Sequence, residues 1–229
     1  MNITLASLIP GARGARGTAV IIDVFRAFTT AAVAFSRGAR QIVLVSKPSE
    51  ALDLKARGVG DLCMGEMYGI APDGFDFGNS PYELSQADVE GKTLVHSTMA
   101  GTVGVTAAEG ADEIYLGSLV LAAPTAKRIL ARGAKEVSIV AMGGGGEFRT
   151  DEDEQCALYI RNLLQGRQPD PEAVRSLVLS GGESQKFGDP AQPHYHARDL
   201  EMALQIDSVD FAIRVHREDG LLIARPEPA

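Results

Sequence analysis

Three segments of the chain repeat one short pattern, in which a helix-like stretch ends at Gly-Ala and a short β-branched run follows. The Gly-Ala pairs begin at Gly38, Gly110 and Gly133, and the last one precedes the run Val137-Ser138-Ile139-Val140. Glycine just past a helix end adopts the left-handed cap conformation, and helix, glycine and strand together form the αβ junction of a mostly parallel sheet. The pattern therefore predicts an α/β fold with three layers, a mostly parallel or mixed sheet with helices on both faces.

Other segments add to this prediction. A helix is expected from Asp151 to about Gln165, because apolar residues recur there at helical spacing. The C-terminal runs at 210–215 and 221–224 predict a hairpin that turns at 218–220. Residues 58–92 break the rhythm with Gly, Pro, Asp and several aromatic residues, which is typical of an ordered functional loop. No linker is evident, so we expect one domain over residues 1–229.

Charge and composition restrict the partners. The net charge is -8 and no Lys/Arg-rich run is present, which argues against nucleic acid, because phosphate-backbone binding needs a concentrated basic face. No run reaches the roughly 18 apolar residues of a membrane span, and no signal peptide is apparent. Two cysteines without metal-type spacing fit a reducing compartment, so we expect a cytoplasmic protein with no membrane partner. A homo-oligomer is left open.

Polar clusters follow four of the apolar runs. They are Asp23 to Arg26, Ser97 to Thr102, Gly117-Ser118 and the glycines from Gly143 to Gly146. Ligands of open α/β sheets bind beyond the carboxyl ends of the strands. We therefore expect Asp23, Thr98, Gly117 and Gly143 to lie on one edge of the sheet and to share one site.

Each cluster has a functional and a structural interpretation. Asp23 is a candidate metal ligand or general base with Arg26 as an anion clamp one turn later, but Asp is also a favoured helix N-cap. Thr98 to Thr102 resembles a phosphate cradle at a helix N-terminus, or equally a tight βα turn. Gly117-Ser118 gives a weaker signal of the same type. The glycines at 143–146 permit close backbone approach, or form a flexible loop.

Carboxylates suggest a hard cation. Glu66, Asp76, Asp151, Glu152 and Asp153 are the candidates, and oxygen ligands suit Mg²⁺, which usually takes only one or two carboxylates and keeps waters. The acids at 151–153 are also explained by the preference for negative charge in the first turn of a helix. His194 and His196 could form a zinc pair, but no third ligand is evident and a solvated loop is favoured.

Several of these segments resemble a known family. Residues 22–30 resemble its I-D-V-x-R-A-x-T-T signature, and Gly65-Glu66 with 74–81 resembles its G-E…G-F-D-x-G-N-S-P signature. Further matches in the same order are Ser97-Thr98, Gly101-Thr102, Gly117-Ser118, Glu152-Asp153 and Cys156-Ala157. The family is that of the 2-phosphosulfolactate phosphatases, the ComB-like proteins, and the resemblance covers roughly residues 18–160.

The resemblance implies Mg²⁺-dependent hydrolysis of 2-phospho-3-sulfolactate to sulfolactate and phosphate, a step of coenzyme M or sulfolactate synthesis. Two positions depart from the family pattern: Ala100 stands where the family usually has Asn, and Ala141-Met142-Gly143 replaces Cys-Ala-Gly. Both departures lie at the predicted site, where they bear on the substrate more than on the fold.

Catalytic roles are predicted for Asp23, Arg26, Glu66 and Asp76, and the metal ligands are predicted to be Asp23, Glu66, Glu152 and Asp153. Predicted substrate-binding residues are Asn79, Ser80, Thr98, Gly101, Thr102, Gly117 and Ser118. The expected partner is a small anionic phosphoester. The alternatives are a phosphatase for another small phosphoester and a non-catalytic anion-binding protein on the same scaffold.

Overall fold

A computed structural model describes residues 1–229, with nine strands and nine α-helices. The strands are β1 (Asn2–Ser7), β2 (Thr18–Ile22), β3 (Gln41–Val45), β4 (Leu62–Gly65), β5 (Thr93–Ser97), β6 (Glu113–Gly117), β7 (Glu136–Ala141), β8 (Phe211–Glu218) and β9 (Leu221–Pro228). The helices are α1 (Leu8–Gly14), α2 (Ala27–Ser36), α3 (Pro48–Ala56), α4 (Pro81–Ser85), α5 (Gly101–Ala107), α6 (Ala122–Ala131), α7 (Asp151–Leu164), α8 (Pro171–Ser180) and α9 (Ala197–Ala203). None of these helices is long and apolar enough to cross a bilayer.

All nine strands belong to one mixed sheet, in the order β1-β7-β2-β6-β8-β9-β3-β5-β4. The pairs within β1, β7, β2 and β6 are parallel, as are those within β3, β5 and β4. Between these two groups lies the hairpin of β8 and β9, which pairs antiparallel on both of its sides. Three successive antiparallel pairings reverse the chain direction, so β3, β4 and β5 run opposite to β1, β2, β6 and β7.

Both faces of the sheet are buried under helices, which confirms the predicted three-layer α/β fold. Along β2, Ala19 and Ile21 pack on one face and Val20 and Ile22 on the other, as the alternation of side chains in a strand requires. The first face packs against α2 and α5. The second face packs against α6 and α7 at one end of the sheet and against α3 at the other.

The prediction that four strand ends share one edge is partly wrong. Asp23, Gly117 and Gly143 do lie at or just beyond the carboxyl ends of the parallel strands β2, β6 and β7. Thr98 follows β5, which runs in the opposite direction, so its strand end belongs to the other edge. The sequence showed the C-terminal hairpin but not that it is inserted between the two parallel groups.

The end of β5 nevertheless meets the end of β2, although five strand pairings separate the two strands in the sheet. The contact itself is direct, because the backbone N–H of Gly101, at the start of α5, donates to Asp23 Oδ2 over 2.8 Å. The two groups of strands therefore meet at one site despite their opposite directions.

Candidate active site

A cavity of about 320 Å³ lies where these strand ends meet. Its wall combines carboxylates, two cationic side chains, glycines and aromatic rings. The lining residues are Asp23, Phe25, Arg26, Glu66, Tyr68, Gly69, Asn79, Met99, Ala100, Gly143, Gly144, Gly145, Glu147, Phe148, Glu183, Lys186, Phe187 and Tyr195. A cavity of this size with a few convergent polar groups is typical of a small-molecule site.

Asp23 connects two helix starts at the floor of the cavity. It is buried, and its Oδ1 accepts the N–H of Ala27 over 3.0 Å while its Oδ2 accepts that of Gly101. Asp23 is not itself the N-cap of either helix, since Arg26 and Ala100 hold those positions, but its side chain accepts the first N–H of both α2 and α5. Glycine is needed at 101, because a Cβ there would lie 2.8 Å from Asp23 Oδ2.

Two further carboxylates hold loops together in the same way. Asp153, in the first turn of α7, accepts the N–H of Val24 and of Gly143, each over 2.8 Å. Glu66 accepts the N–H of Gly69 and of Met99 at the same distance. Because both oxygens of each carboxylate receive a backbone donor, these acids fix the loops that form the cavity wall.

Burial raises the pKa of three acids at the site, and the charges of neighbouring acids raise it further. Burial raises the pKa of Asp23 to about 6, and the charge of Glu66 adds to this effect. Burial likewise raises the pKa of Glu152 to about 7, with contributions from Glu183 and Asp23. Asp153 is also shifted well upward by burial and by its acidic neighbours. Burial therefore favours the protonated form of these acids in the metal-free protein.

We expect the metal-free protein to lose stability as the pH rises from about 5 to about 7. In this window the folded protein holds protons on Asp23 and Glu152 that the unfolded chain has already released, so the free energy of unfolding falls with pH. A total loss of about 2–4 kcal/mol is expected, since one pKa unit corresponds to about 1.4 kcal/mol. Urea titrations in EDTA should show it, and Glu152→Gln should flatten the profile. A stability that rises with pH over this range would contradict the prediction.

The donor set suits Mg²⁺ only in part. No group of three or more His, Cys, Asp or Glu side chains is arranged to hold a metal ion. Glu152 differs from the loop-holding acids, because its buried Oε2 has no hydrogen-bond partner. Mg²⁺ needs only one or two carboxylates besides waters and substrate phosphate. Glu152, which lies behind the cavity wall, therefore offers one free carboxylate oxygen of the kind that such an ion binds.

Arg26 follows the Phe25–Arg26 peptide bond, which is cis, and it is buried in the cavity wall. Its Nη1 donates to His194 O over 2.6 Å and to Asp199 Oδ2 over 2.9 Å, and its Nη2 donates to Gly69 O over 3.2 Å. The guanidinium also lies 4.8 Å from the centre of the Tyr195 ring. The Nε–H and the second Nη2 hydrogen have no protein acceptor, so two adjacent donors remain for an anion.

Comparisons with known proteins show the family of this chain. The profile of the family described as 2-phosphosulpholactate phosphatase matches residues 4–218. The chain belongs to this family. It is 30% identical over 204 residues to a probable 2-phosphosulfolactate phosphatase of Bacillus subtilis, covering 88% of this chain and 87% of that one. Proteins of the same name from Clostridium acetobutylicum (37% identical, 83% and 82% covered) and Caldicellulosiruptor saccharolyticus (38%, 84% and 86%) are also similar.

Membership of the 2-phosphosulpholactate phosphatase family confirms the resemblance seen in the sequence. The two departures from the family pattern lie in different parts of the structure. Ala100 lines the cavity, so the side chain at this position faces the substrate space. Met142 is fully buried, and its sulfur would lie 2.4 Å from a Cβ at Gly104. The first departure therefore bears on ligand binding and the second on packing behind the wall.

Not every predicted site residue of this family member reaches the cavity. Those that line it are Asp23, Arg26, Glu66 and Asn79. Asp76 instead pairs with Lys55 and accepts the N–H of Cys63 in the edge strand β4. The remaining substrate-binding candidates lie behind the wall, and their roles stay predictions: Ser80, Thr98, Gly101, Thr102, Gly117 and Ser118.

The threonine turn is occupied by its own hydrogen bonds. Thr102 Oγ1 accepts the N–H of Thr98 over 2.8 Å, and Thr98 Oγ1 accepts the N–H of Thr102 over 3.1 Å. This reciprocal pairing is what the tight-turn interpretation predicts for the two side chains. Ser118 is different, since its buried Oγ has no partner.

Sequence reasoning missed several residues at the site. Asp199, Lys186 and Tyr195 come from the C-terminal third, where no motif pointed to them. His96 was also missed: its Nε2 lies 3.3 Å from Asn79 Oδ1, and burial lowers its pKa to about 3. His194 and His196 do not pair on a metal, because His196 stacks on Tyr82 and accepts the N–H of Arg198.

Proposed function

We propose that this protein is a phosphatase that hydrolyses the phosphate monoester of a short anionic acid, 2-phospho-3-sulfolactate, to sulfolactate and phosphate. Family membership supports the reaction class. The observation that carries the proposal is the cavity at the strand ends, which places the two free donors of Arg26 on the same wall as Asp23. Arginine's planar fork binds phosphate oxygens in a bidentate way, so we assign the phosphoryl group to Arg26.

Asp23 is our candidate for the proton acceptor. Its carboxylate is held by two backbone donors, and its pKa of about 6 lies near neutral pH, where a general base is most effective. In the proposed step a water oxygen bonds to phosphorus and the ester P–O bond breaks. The proton of the water passes to Asp23, and the departing alkoxide takes a proton from solvent. The backbone N–H of Gly145, in the cavity wall, is available to the developing negative charge, whereas those of Gly143 and Gly144 already donate to Asp153 and to Phe148 O.

We also propose that the reaction depends on Mg²⁺. Four acids line the cavity, namely Asp23, Glu66, Glu147 and Glu183, against the two cations Arg26 and Lys186. A substrate with several negative charges would be repelled by such a wall unless a further cation entered with it. Mg²⁺ would polarise a phosphoryl oxygen and lower the pKa of a bound water.

Among the predicted metal ligands, Glu152 is our first candidate, because its Oε2 has no hydrogen-bond partner. Asp23, Glu66 and Asp153 already accept a backbone N–H on each of their two oxygens. Use of the product in coenzyme M or sulfolactate synthesis, a cytoplasmic location and the absence of a nucleic acid partner remain predictions from the sequence.

Chelation should abolish the activity. We expect phosphate release from 2-phospho-3-sulfolactate with Mg²⁺, loss of at least about 100-fold in EDTA, and recovery when Mg²⁺ is restored, because metal Lewis-acid catalysis supplies several kcal/mol. Thermal melting in EDTA provides the control that the protein stays folded. Activity that survives exhaustive chelation would refute the proposed dependence on Mg²⁺ but not the proposed phosphatase activity. Phosphate binding without turnover of any phosphoester would favour the non-catalytic anion-binding protein.

A further inference from the structure

The segment between α8 and α9 forms one wall of the cavity. A short 3₁₀ helix, Glu183–Lys186, is followed by Phe187, and Tyr195 returns to the same wall before α9 begins. Aromatic contacts fix this segment, since the ring of Phe187 lies 5.0 Å from that of Phe25 and 5.5 Å from that of Tyr195. The wall is therefore held to the β2–α2 loop that carries Arg26.

This segment brings a second cation to the cavity. Lys186 Nζ lies 5.8 Å from the centre of the Tyr195 ring, and the Arg26 guanidinium lies 4.8 Å from the same point. Both cations therefore lie near the Tyr195 ring. The separation between the Arg26 guanidinium and Lys186 Nζ cannot exceed the sum of these two distances. They are the only Lys or Arg side chains on the cavity wall.

Arg26 and Lys186 differ in their burial and in their ion-pair partners. Arg26 is buried and paired with the buried Asp199, whereas Lys186 is 33% exposed and paired with Glu183, three residues earlier on the 3₁₀ helix. An ion pair of this exposure contributes little stability, so Lys186 can exchange Glu183 for another anion at small cost. The ammonium carries three donors on a flexible stem, which suits a group whose position varies between substrates.

We propose that Lys186 is a specificity-determining residue that binds the second anionic group of the substrate while Arg26 binds the phosphoryl group. This inference rests on the proposed function. The group is a carboxylate or a sulfonate, which share the chemistry that an ammonium recognises. The site thereby favours phosphoesters that carry a second negative charge over those with a neutral remainder.

The test compares Lys186→Gln with the wild type on three substrates. These are 2-phospho-3-sulfolactate, phospholactate, which lacks the sulfonate, and glycerol 2-phosphate, which has only the phosphate. We expect kcat/KM for phosphosulfolactate to fall by about 10- to 100-fold, mainly through KM, as expected when a hydrogen bond to a charged group is lost. The loss should exceed that on glycerol 2-phosphate at least tenfold. Lys127→Gln, an exposed change on α6, is the matched charge control and should leave all three rates unchanged.

Phospholactate identifies the group that Lys186 binds. If Lys186→Gln lowers kcat/KM for phospholactate as much as for phosphosulfolactate, Lys186 binds the carboxylate. If the decrease for phospholactate is smaller, Lys186 binds the sulfonate. Equal losses on all three substrates would overturn the proposal and leave the phosphatase in place. Calorimetry with 3-sulfolactate tests binding without turnover: about tenfold weaker binding to the variant supports Lys186, and equal binding overturns it. If the wild-type protein neither binds sulfolactate nor releases phosphate, both the proposed phosphatase function and the proposed role of Lys186 are refuted.

Discussion

Replacing Asp199 with Asn should lower the free energy of unfolding by about 3–5 kcal/mol, the usual effect of removing one partner of a buried ion pair. Asp199 is fully buried and accepts three donors from two segments: Arg26 Nη1 over 2.9 Å, and at the start of α4 Ser80 Oγ over 2.6 Å and Tyr82 N over 3.0 Å. Asparagine preserves the size but removes the charge opposite a buried guanidinium. Urea unfolding at pH 7 measures the effect.

An exposed ion pair serves as the control for Asp199→Asn. Asp53 pairs with Arg57 one turn along α3, with both side chains more than half exposed. Asp53→Asn should therefore cost at most about 0.5 kcal/mol, as expected for a pair of this kind. Adding Arg26→Met to Asp199→Asn should recover part of the lost stability, because the uncompensated charge is then gone. Equal effects of the two Asp→Asn changes would show that Asp199 does not balance Arg26.

Arg26→Lys should reduce kcat/KM by about 10²- to 10³-fold, the range seen when one preorganised donor to a transition state is removed. The arginine donates to His194 O, Asp199 and Gly69 O and still keeps two adjacent donors free. Lysine keeps the charge but cannot satisfy these acceptors and also offer a planar fork to phosphate. Steady-state kinetics with 2-phospho-3-sulfolactate measures the loss.

Arg37→Lys is the matched control for Arg26→Lys, because Arg37 is exposed at the other end of α2. It should leave the kinetics unchanged. Melting curves of both variants separate lost binding from lost stability. A change of less than about threefold in Arg26→Lys, with the fold intact, would give Arg26 a purely structural role.

The contact between Asp199 and Arg26 could not be predicted from the sequence. Nothing in the sequence around Asp199 points to Arg26, which precedes it by 173 residues, and the contact exists only once α9 packs beside α4. The same holds for Lys186, to which no motif in the sequence pointed. By contrast, Asp23, Arg26, Glu66 and Asn79 were predicted as site residues, and all four line the cavity.

Local physical chemistry determined the elements of this protein, because strand alternation, helical spacing and glycine caps involve only residues that are near one another in the chain. The α/β class, the C-terminal hairpin and the polar clusters at strand ends followed from the sequence alone. Strand order did not, because it depends on which apolar faces cover one another across the whole chain. Only the tertiary structure inserted β8 and β9 into the middle of the sheet and reversed β5 relative to β2. It also brought Gly101 to Asp23, because a contact between residues 78 positions apart depends on how the whole sheet and its helices pack and not on any local pattern.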